Sequence, residues 1–407
     1  MEKLNLDLSK KIEKSLVNQF KKIDQIVLHN QNKVLSAFTN NKVALWHFNQ
    51  SNGYGYNDAG KETLEKLFSD VFNTESAIVS THILSGTHAL SLVLFGLLRP
   101  NDCFLSISGK PYDTLTDVIS GNGNGSLKDF NIDYFECGIL NGCFDFDSIE
   151  KEIKKHKPKL VFMQRSKGYS NRNSFSINKL KSAIEFIKAI DKNIIVFVDN
   201  CYGEFTDCLE PTDVGADILA GSLIKNPGGG IAPNGGYIAG RKDLINLVCK
   251  RLTTPSTGNE IGSNMFGYQY FYQGLFLAPH TVGQSLKGAL FLAKAMEEAG
   301  ARVMPFSDCF DIINSIEFET ENQLVEFCRL IQSVSPVDSH VTLYPWDMPG
   351  YDNKVIMAAG CFVQGSSIEL SCDAPLKKPY IAYCQGGLTY EHIKIAALTV
   401  YNRFKLK

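Results

Sequence analysis

No two of the eleven cysteines are spaced as C-x-x-C, and they are scattered from Cys103 to Cys384. Neither a zinc ribbon nor a disulfide framework is spelled out, no metal site is expected, and unpatterned thiols fit a reduced chain in a cytoplasm. Long apolar runs are also missing. No stretch approaches the roughly 18 uncharged apolar residues of a membrane helix, and the N-terminus, MEKLNLDLSKKIEKSLVNQFKKIDQIV, lacks the apolar core of a secretory signal. A basic excess is absent: 41 Lys and Arg face 43 Asp and Glu, for a net charge of -2. Nucleic acid is therefore not an expected partner, and small molecules are. Two phosphate-binding patterns are approached and missed. GYNDAGKE, from Gly55 to Glu62, puts a carboxylate where a P-loop needs a hydroxyl for magnesium, and GNGNGS, from Gly121, lacks the third glycine spacing of a dinucleotide site and reads as a turn. There is no internal repeat and no low-complexity tract.

What is present is an ordinary globular composition, 44% hydrophobic and 21% charged over 407 residues. That length exceeds the roughly 250 to 300 residues at which one core stops growing. The reading is an N-terminal helical segment and loop over residues 1–55, a large cofactor domain over 56–300 and a small C-terminal α+β domain over 301–407. Residues 5–35 carry helical periodicity, and Leu64, Leu67, Phe68, Val71 and Phe72 form one apolar helix stripe. CFLSIS (103–108), IDYFEC (132–137), LVFMQ (160–164), IIVFVD (194–199), DILAGSL (217–223) and GYIAG (236–240) read as strands, with a helix from Ile177 to Ile190. Strands alternating with helices predict an α/β fold with a mainly parallel, seven-stranded-type sheet. In the C-terminal part DIINSIEFE, IMAAGCFV and SIELSC are strand candidates, followed by a helix from His392 to Phe404.

In such a sheet, functional groups gather at the carboxyl ends of the strands. Asp199 closes NIIVFVDN, and a carboxylate after five apolar residues needs a cation or donor if it is buried. Lys225 follows the next strand, with Ser222 three positions before it. Ser85, Gly86 and Thr87 open an apolar helix, where free N–H groups favour an anion. Tyr112 lies just beyond CFLSISG and could stack on a planar ligand. Each has an ordinary reading alone: a surface turn, a surface lysine, a helix cap, a core tyrosine. Together, an amine, a carboxylate, a phosphate cradle and a stacking ring on successive strand ends are the set pyridoxal phosphate requires.

Nine segments, GYGYNDAGKETLE, SGTHAL, GKPYDTL, QRSKGYS, VDNCYGEF, GSLIKNPGGGIAPNGGYIAG, APHTVGQSLKGA, YPWDMPGYDNKVIMAAG and QGGLTYEH, span residues 53 to 392. In them the chain resembles the fold-type I pyridoxal-phosphate enzymes of cysteine and methionine metabolism, most closely the methionine gamma-lyase-like branch often labelled aluminium resistance protein. The resemblance implies that Lys225 forms the Schiff base, that Asp199 pairs with the pyridine nitrogen and that Tyr112 stacks on the ring. It also implies that Ser85, Gly86, Thr87 and Ser222 hold the phosphate. Gly228 to Gly230 would then let backbone pass close to the cofactor with positive φ.

The resemblance further implies a homodimer or dimer of dimers with the active site at the subunit interface, and elimination across a C–S bond of a sulfur amino acid, with Tyr112 as a proton donor. Two departures stand out. Where the family sends Tyr-x-Arg to the neighbouring phosphate, this chain has Tyr54-Gly-Tyr56, so either the tyrosine hydroxyls serve alone or another cation replaces the guanidinium. Near the C-terminus the family's carboxylate-binding arginine is missing, and Lys377 and Lys378 stand there. Arg165 and Arg172, in QRSKGYSNRNS, are the candidates for the substrate carboxylate, against a reading as surface charges. One fold hosts many reactions. Transamination or other amino-acid chemistry, or a stress protein that only binds the cofactor, therefore remain the alternatives.

Overall fold

The structure is a computed structural model and describes residues 4–123, 125–170, 172–304, 310–348 and 353–404. Part of YPWDMPGYDNKVIMAAG, residues 349–352, lies outside them.

Seven strands form the main sheet: β1 (Ser76–Ser80), β2 (Cys103–Ser106), β3 (Asp133–Glu136), β4 (Leu160–Gln164), β5 (Ile195–Asp199), β6 (Ile218–Ser222) and β7 (Gly236–Gly240). Their order is β1-β7-β6-β5-β4-β2-β3, and only β7 runs antiparallel to its neighbours. The strands read as unbroken apolar runs because both faces are covered. Alternate residues supply two cores. Phe104, Phe162, Phe197 and Ile218 pack with helices α3 (Gly86–Leu97) and α6 (Lys242–Leu252). Leu105, Val161, Val196, Val198 and Leu219 face the opposite way, into the core shared with α1 (Leu6–Asn40), α2 (Ala59–Val71), α5 (Ile177–Ile190) and α7 (Gln269–Glu298). α4 (Phe146–His156) packs against α5 and β2.

A second, antiparallel sheet follows, made of β8 (Arg302–Val303), β9 (Ile313–Phe318), β10 (Val355–Ala358), β11 (Ser371–Pro375) and β12 (Tyr380–Gln385) in the order β8-β9-β12-β11-β10. Cys372, Ala374, Ala382 and Cys384 point from it into the apolar core. There α8 (Glu321–Ser333) brings Cys328 Sγ to 3.8 Å from Cys372 Sγ, and α9 (Tyr390–Arg403) packs beside α8 and α7. Strand alternation turns Ser371, Asp373, Tyr383 and Gln385 to the other face.

Two strand candidates shift. IMAAGCFV is extended only as far as Ala358, and SIELSC enters the sheet at Ser371. The central strand β12 escapes the periodicity reading because both of its faces are covered and five of its six residues are buried. Helix α7 escapes it too: Pro279 and several glycines interrupt its pattern, yet it packs against both α1 and α9. Among the described residues no helix is long and apolar enough to cross a membrane.

Candidate active site

The two sheets meet around a cavity of about 260 Å³, and seven of the residues singled out in the sequence line it: Lys225, Asp199, Tyr112, Ser85, Gly86, Thr87 and Ser222. Asp199, the last residue of β5, lies in register with Gln164 on β4 and Ala220 on β6. Parallel pairing therefore sets these strand ends side by side. Its Oδ1 accepts the N–H of Cys201 at 3.1 Å. Burial pushes the Asp199 carboxyl above its ordinary range, and the nearby Lys225 charge only partly opposes this.

Lys225 stands three residues beyond the end of β6, with Nζ 4.1 Å from the centroid of the Tyr202 ring. Tyr202 adopts φ +69°, a conformation costly for a bulky residue. Burial opposes the Lys225 charge, but the ionisable groups of Cys201, Tyr202, Asp199 and Glu204 outweigh it and hold the amine above its ordinary value. Glu204 lies behind the lysine. It accepts the Tyr237 hydroxyl on Oε1 at 2.8 Å, its Oε2 has no partner, and burial pushes its carboxyl up to about 8.

The N-terminus of α3 closes one end of the cavity. Ser85 caps it, its Oγ accepting the N–H of His88 at 3.0 Å. Thr87 Oγ1 meets Thr114 Oγ1 at 2.6 Å. A Cβ on Gly86 would lie 3.3 Å from Cys201 Sγ, 3.6 Å from Ser222 Cβ and 3.9 Å from Lys225 Nζ. Only a bare backbone leaves this space between the free N–H groups of a helix end and the amine. Tyr112 is held through its N–H, which donates to Gln164 Oε1 at 2.9 Å, and its ring meets that of Tyr169 at 5.6 Å.

The opposite wall is the free face of the second sheet. Met357, Ser371, Asp373 and Gln385 line the cavity from there, with Ser366 from the loop before β11. Asp373 Oδ2 accepts the Tyr169 hydroxyl at 2.7 Å and the Gln385 amide at 3.3 Å. Burial pushes the Asp373 carboxyl up to about 6 despite these donors and Lys225. Sequence reasoning missed this wall. Gln164 and Tyr169 stood in the segment QRSKGYS, Met357 in YPWDMPGYDNKVIMAAG and Gln385 in QGGLTYEH, but none was assigned a role, and Asp373 carried no signal beyond a polar residue within an apolar run.

The remaining sequence candidates lie elsewhere. Arg165 is spent within the fold: Nη1 contacts Asn200 Oδ1 at 2.9 Å and Glu210 Oε2 at 3.3 Å, and Nη2 donates to Thr206 Oγ1. Arg172 donates to the carbonyls of Asn173, Gln164 and Ser166 and stacks over Phe175. Neither guanidinium lines the cavity that holds Lys225. Tyr54 and Tyr56 lie outside it as well, exposed with their rings 5.5 Å apart.

The glycines after Lys225 require a correction. Gly229 and Gly230 do have positive φ, +58° and +78°, but none of the three lines the cavity. A Cβ on Gly228 would strike Leu223 O at 1.7 Å, and one on Gly229 would meet Gly274 O of α7 at 2.4 Å. Their smallness seats the lysine loop on α7, rather than on a ligand.

A family model described as methionine gamma-lyase matches residues 5–405. The Bacillus subtilis (strain 168) protein YnbB is 49% identical over 391 residues, 95% of this chain and 93% of that protein. A solved structure of a candidate cystathionine beta-lyase involved in aluminium resistance, from Listeria monocytogenes, is 49% identical with a TM-score of 0.95, covering 98% of this chain and 100% of that one. A carbon-sulfur lyase involved in aluminium resistance from Clostridium novyi NT is 49% identical with a TM-score of 0.94, covering 98% and 96%. At 14% identity and a TM-score of 0.64, the pyridoxal-5'-phosphate dependent protein YhfS of Escherichia coli shares the fold over 94% of this chain and 97% of its own.

Proposed function

This chain belongs to the methionine gamma-lyase family, and from that premise we propose that it is a pyridoxal-phosphate-dependent lyase that breaks a C–S bond in sulfur-containing amino acids. The observation that carries the reading is the convergence of Lys225, Asp199 and the N-terminus of α3 on one cavity. The donor set fits the cofactor. The space kept open by Gly86, with Ser85, Thr87 and Ser222 around it, suits a phosphate. Lys225 offers an amine to the aldehyde, and the buried Asp199 carboxylate suits a protonated ring nitrogen.

Bound pyridoxal phosphate supplies an aldehyde that links covalently to amines and a protonated ring that accepts the electron pair left when the α-proton departs. The rest falls to the chain. Ser85, Gly86, Thr87 and Ser222 would hold the phosphate, and the buried Asp199 carboxylate would favour a protonated ring nitrogen by charge pairing. The Tyr112 ring, its backbone held by Gln164, would stack on the cofactor. Lys225 Nζ would take the substrate's α-proton as general base, and the Tyr112 hydroxyl would give a proton to the departing sulfur.

The same reading makes the protein a homo-oligomer. Tyr54, Tyr56, Trp46, Met265 and Phe266 are all exposed, Phe266 to 92%. Their loops are joined, since Gly262 N–H donates to Tyr54 O at 3.0 Å and His82 Nε2 meets Ser263 O at 3.1 Å. His82 is three residues from the Ser85 cap, so this apolar face adjoins the phosphate end of the cavity. An exposed patch of this kind suits a second subunit, whose Tyr54 and Tyr56 would complete that end.

Borohydride reduction of the cofactor-loaded protein, followed by peptide mapping, should place a stable label on Lys225. A panel of sulfur amino acids should then release 2-oxo acid together with thiol or sulfide. An unlabelled protein would overturn the cofactor reading. A labelled protein that releases neither product would overturn the lyase reading alone.

A further inference from the structure

The cavity is lined by one cation, Lys225, and two carboxyls, Asp199 and Asp373. Lys225 and Asp199 have work in the reaction; Asp373 has none. Both of its hydrogen bonds fall on Oδ2, so the tie to Tyr169 and Gln385 leaves Oδ1 without a protein partner among the described residues. The hydroxyls of Ser366 and Ser371 are buried, line the same cavity and have no partner among the described residues. Ser371 and Asp373 alternate on β11, and their register partners Gln385 and Tyr383 stand on the same face of β12. The Tyr383 hydroxyl donates to Tyr169 O at 2.6 Å, which fixes the ring that holds Asp373.

Buried hydroxyls left without a partner are costly unless a ligand or water satisfies them. A carboxylate arriving at this wall would meet like charge, whereas an ammonium would satisfy Oδ1 and both hydroxyls. We propose that Asp373, with Ser366 and Ser371, is a specificity-determining subsite for a positively charged amine on the leaving-group side of the substrate. The preferred substrates are then amino acids whose sulfur carries an aminoalkyl group, rather than a plain alkyl or an acidic one. This rests on the lyase reading for the identity of the leaving group, but the binding preference can be measured without turnover.

The test uses three ligands that carry no primary amine and so cannot link to the cofactor aldehyde: 3-(2-dimethylaminoethylthio)propanoic, 3-(propylthio)propanoic and 3-(carboxymethylthio)propanoic acid. Titration calorimetry on the cofactor-loaded wild type should rank them cationic, neutral, anionic, with the cationic ligand about tenfold or more tighter than the neutral one, as a charge-assisted hydrogen bond implies. Asp373→Asn, of nearly the same shape, should level the first two. In turnover, S-(2-aminoethyl)-L-cysteine should show a lower KM than S-propyl-L-cysteine, and Asp373→Asn should raise that KM with little change in kcat. Equal or tighter binding of the propyl ligand by the wild type would overturn the proposal without any variant, as would an undiminished preference in folded Asp373→Asn. If no sulfur amino acid is turned over while the calorimetric order holds, the lyase reading falls and the subsite stands.

Discussion

The two walls of the cavity are built in different ways. On the large-sheet side, each group hangs from a strand end or a helix start: Asp199 closes β5, Lys225 follows β6, and Ser85 caps α3. Parallel strands in register bring such ends together whatever their spacing in sequence. On the small-sheet side the groups sit on a strand face, Ser371 and Asp373 alternating with Cys372 and Ala374. Groups at termini combine free backbone donors with side chains, which suits holding a phosphate and moving protons. Groups on a pleated face are rigid and laterally spaced, which suits recognition. On the proposed reading, the first wall reacts and the second selects.

Four changes would break or sharpen that division. Lys225→Ala should have the largest effect, lowering 2-oxo acid release by at least about 10²–10⁴-fold through loss of the general base alone and abolishing the borohydride label. Retained turnover would move the chemistry off this wall. Asp199→Asn removes a preorganised charge and should lower kcat by on the order of 10²-fold, with its protein still labelled at Lys225. Gly228→Ala tests the support beneath the lysine. A Cβ there collides with Leu223 O, and overpacking of this kind should destabilise the fold by about 1–3 kcal/mol, seen as a lower melting temperature.

The smallest effect concerns Glu204. Its folded pKa is raised by burial to about 8 from an ordinary 4.5, so between these values the native state holds a proton that the unfolded chain has released. Stability must therefore decline as pH rises through that window and level off above about 8. Glu204→Gln should flatten that decline between pH 5 and 8. Parallel melting curves for variant and wild type would show that Glu204 is not the titrating group.

Much of the reacting wall was legible because its segments are local. VDNCYGEF, SGTHAL and GSLIKNPGGG each announce a strand or helix boundary and a functional side chain together, and strand ends are where α/β sheets put their sites. The selecting wall was not. Asp373 reaches the cavity only because β11 pairs with β12 in one register, and β12, with both faces covered, shows no alternation. The arginines were misleading for a related reason. Arg165 and Arg172 follow a strand end, but partners far along the chain, Glu210 and Thr206, direct the Arg165 side chain, and carbonyls of its own loop direct that of Arg172.

The hydrogen bond from Tyr169 to Asp373 joins a loop of the first sheet to a strand of the second. On the proposed reading, reaction and choice fall to separate stretches of chain, residues 85–225 and 355–385, tied together through Tyr169, which also takes the Tyr383 hydroxyl on its carbonyl. Such a layout is modular: substitutions confined to the later stretch can redirect what the protein acts upon while the earlier stretch keeps performing the same bond cleavage.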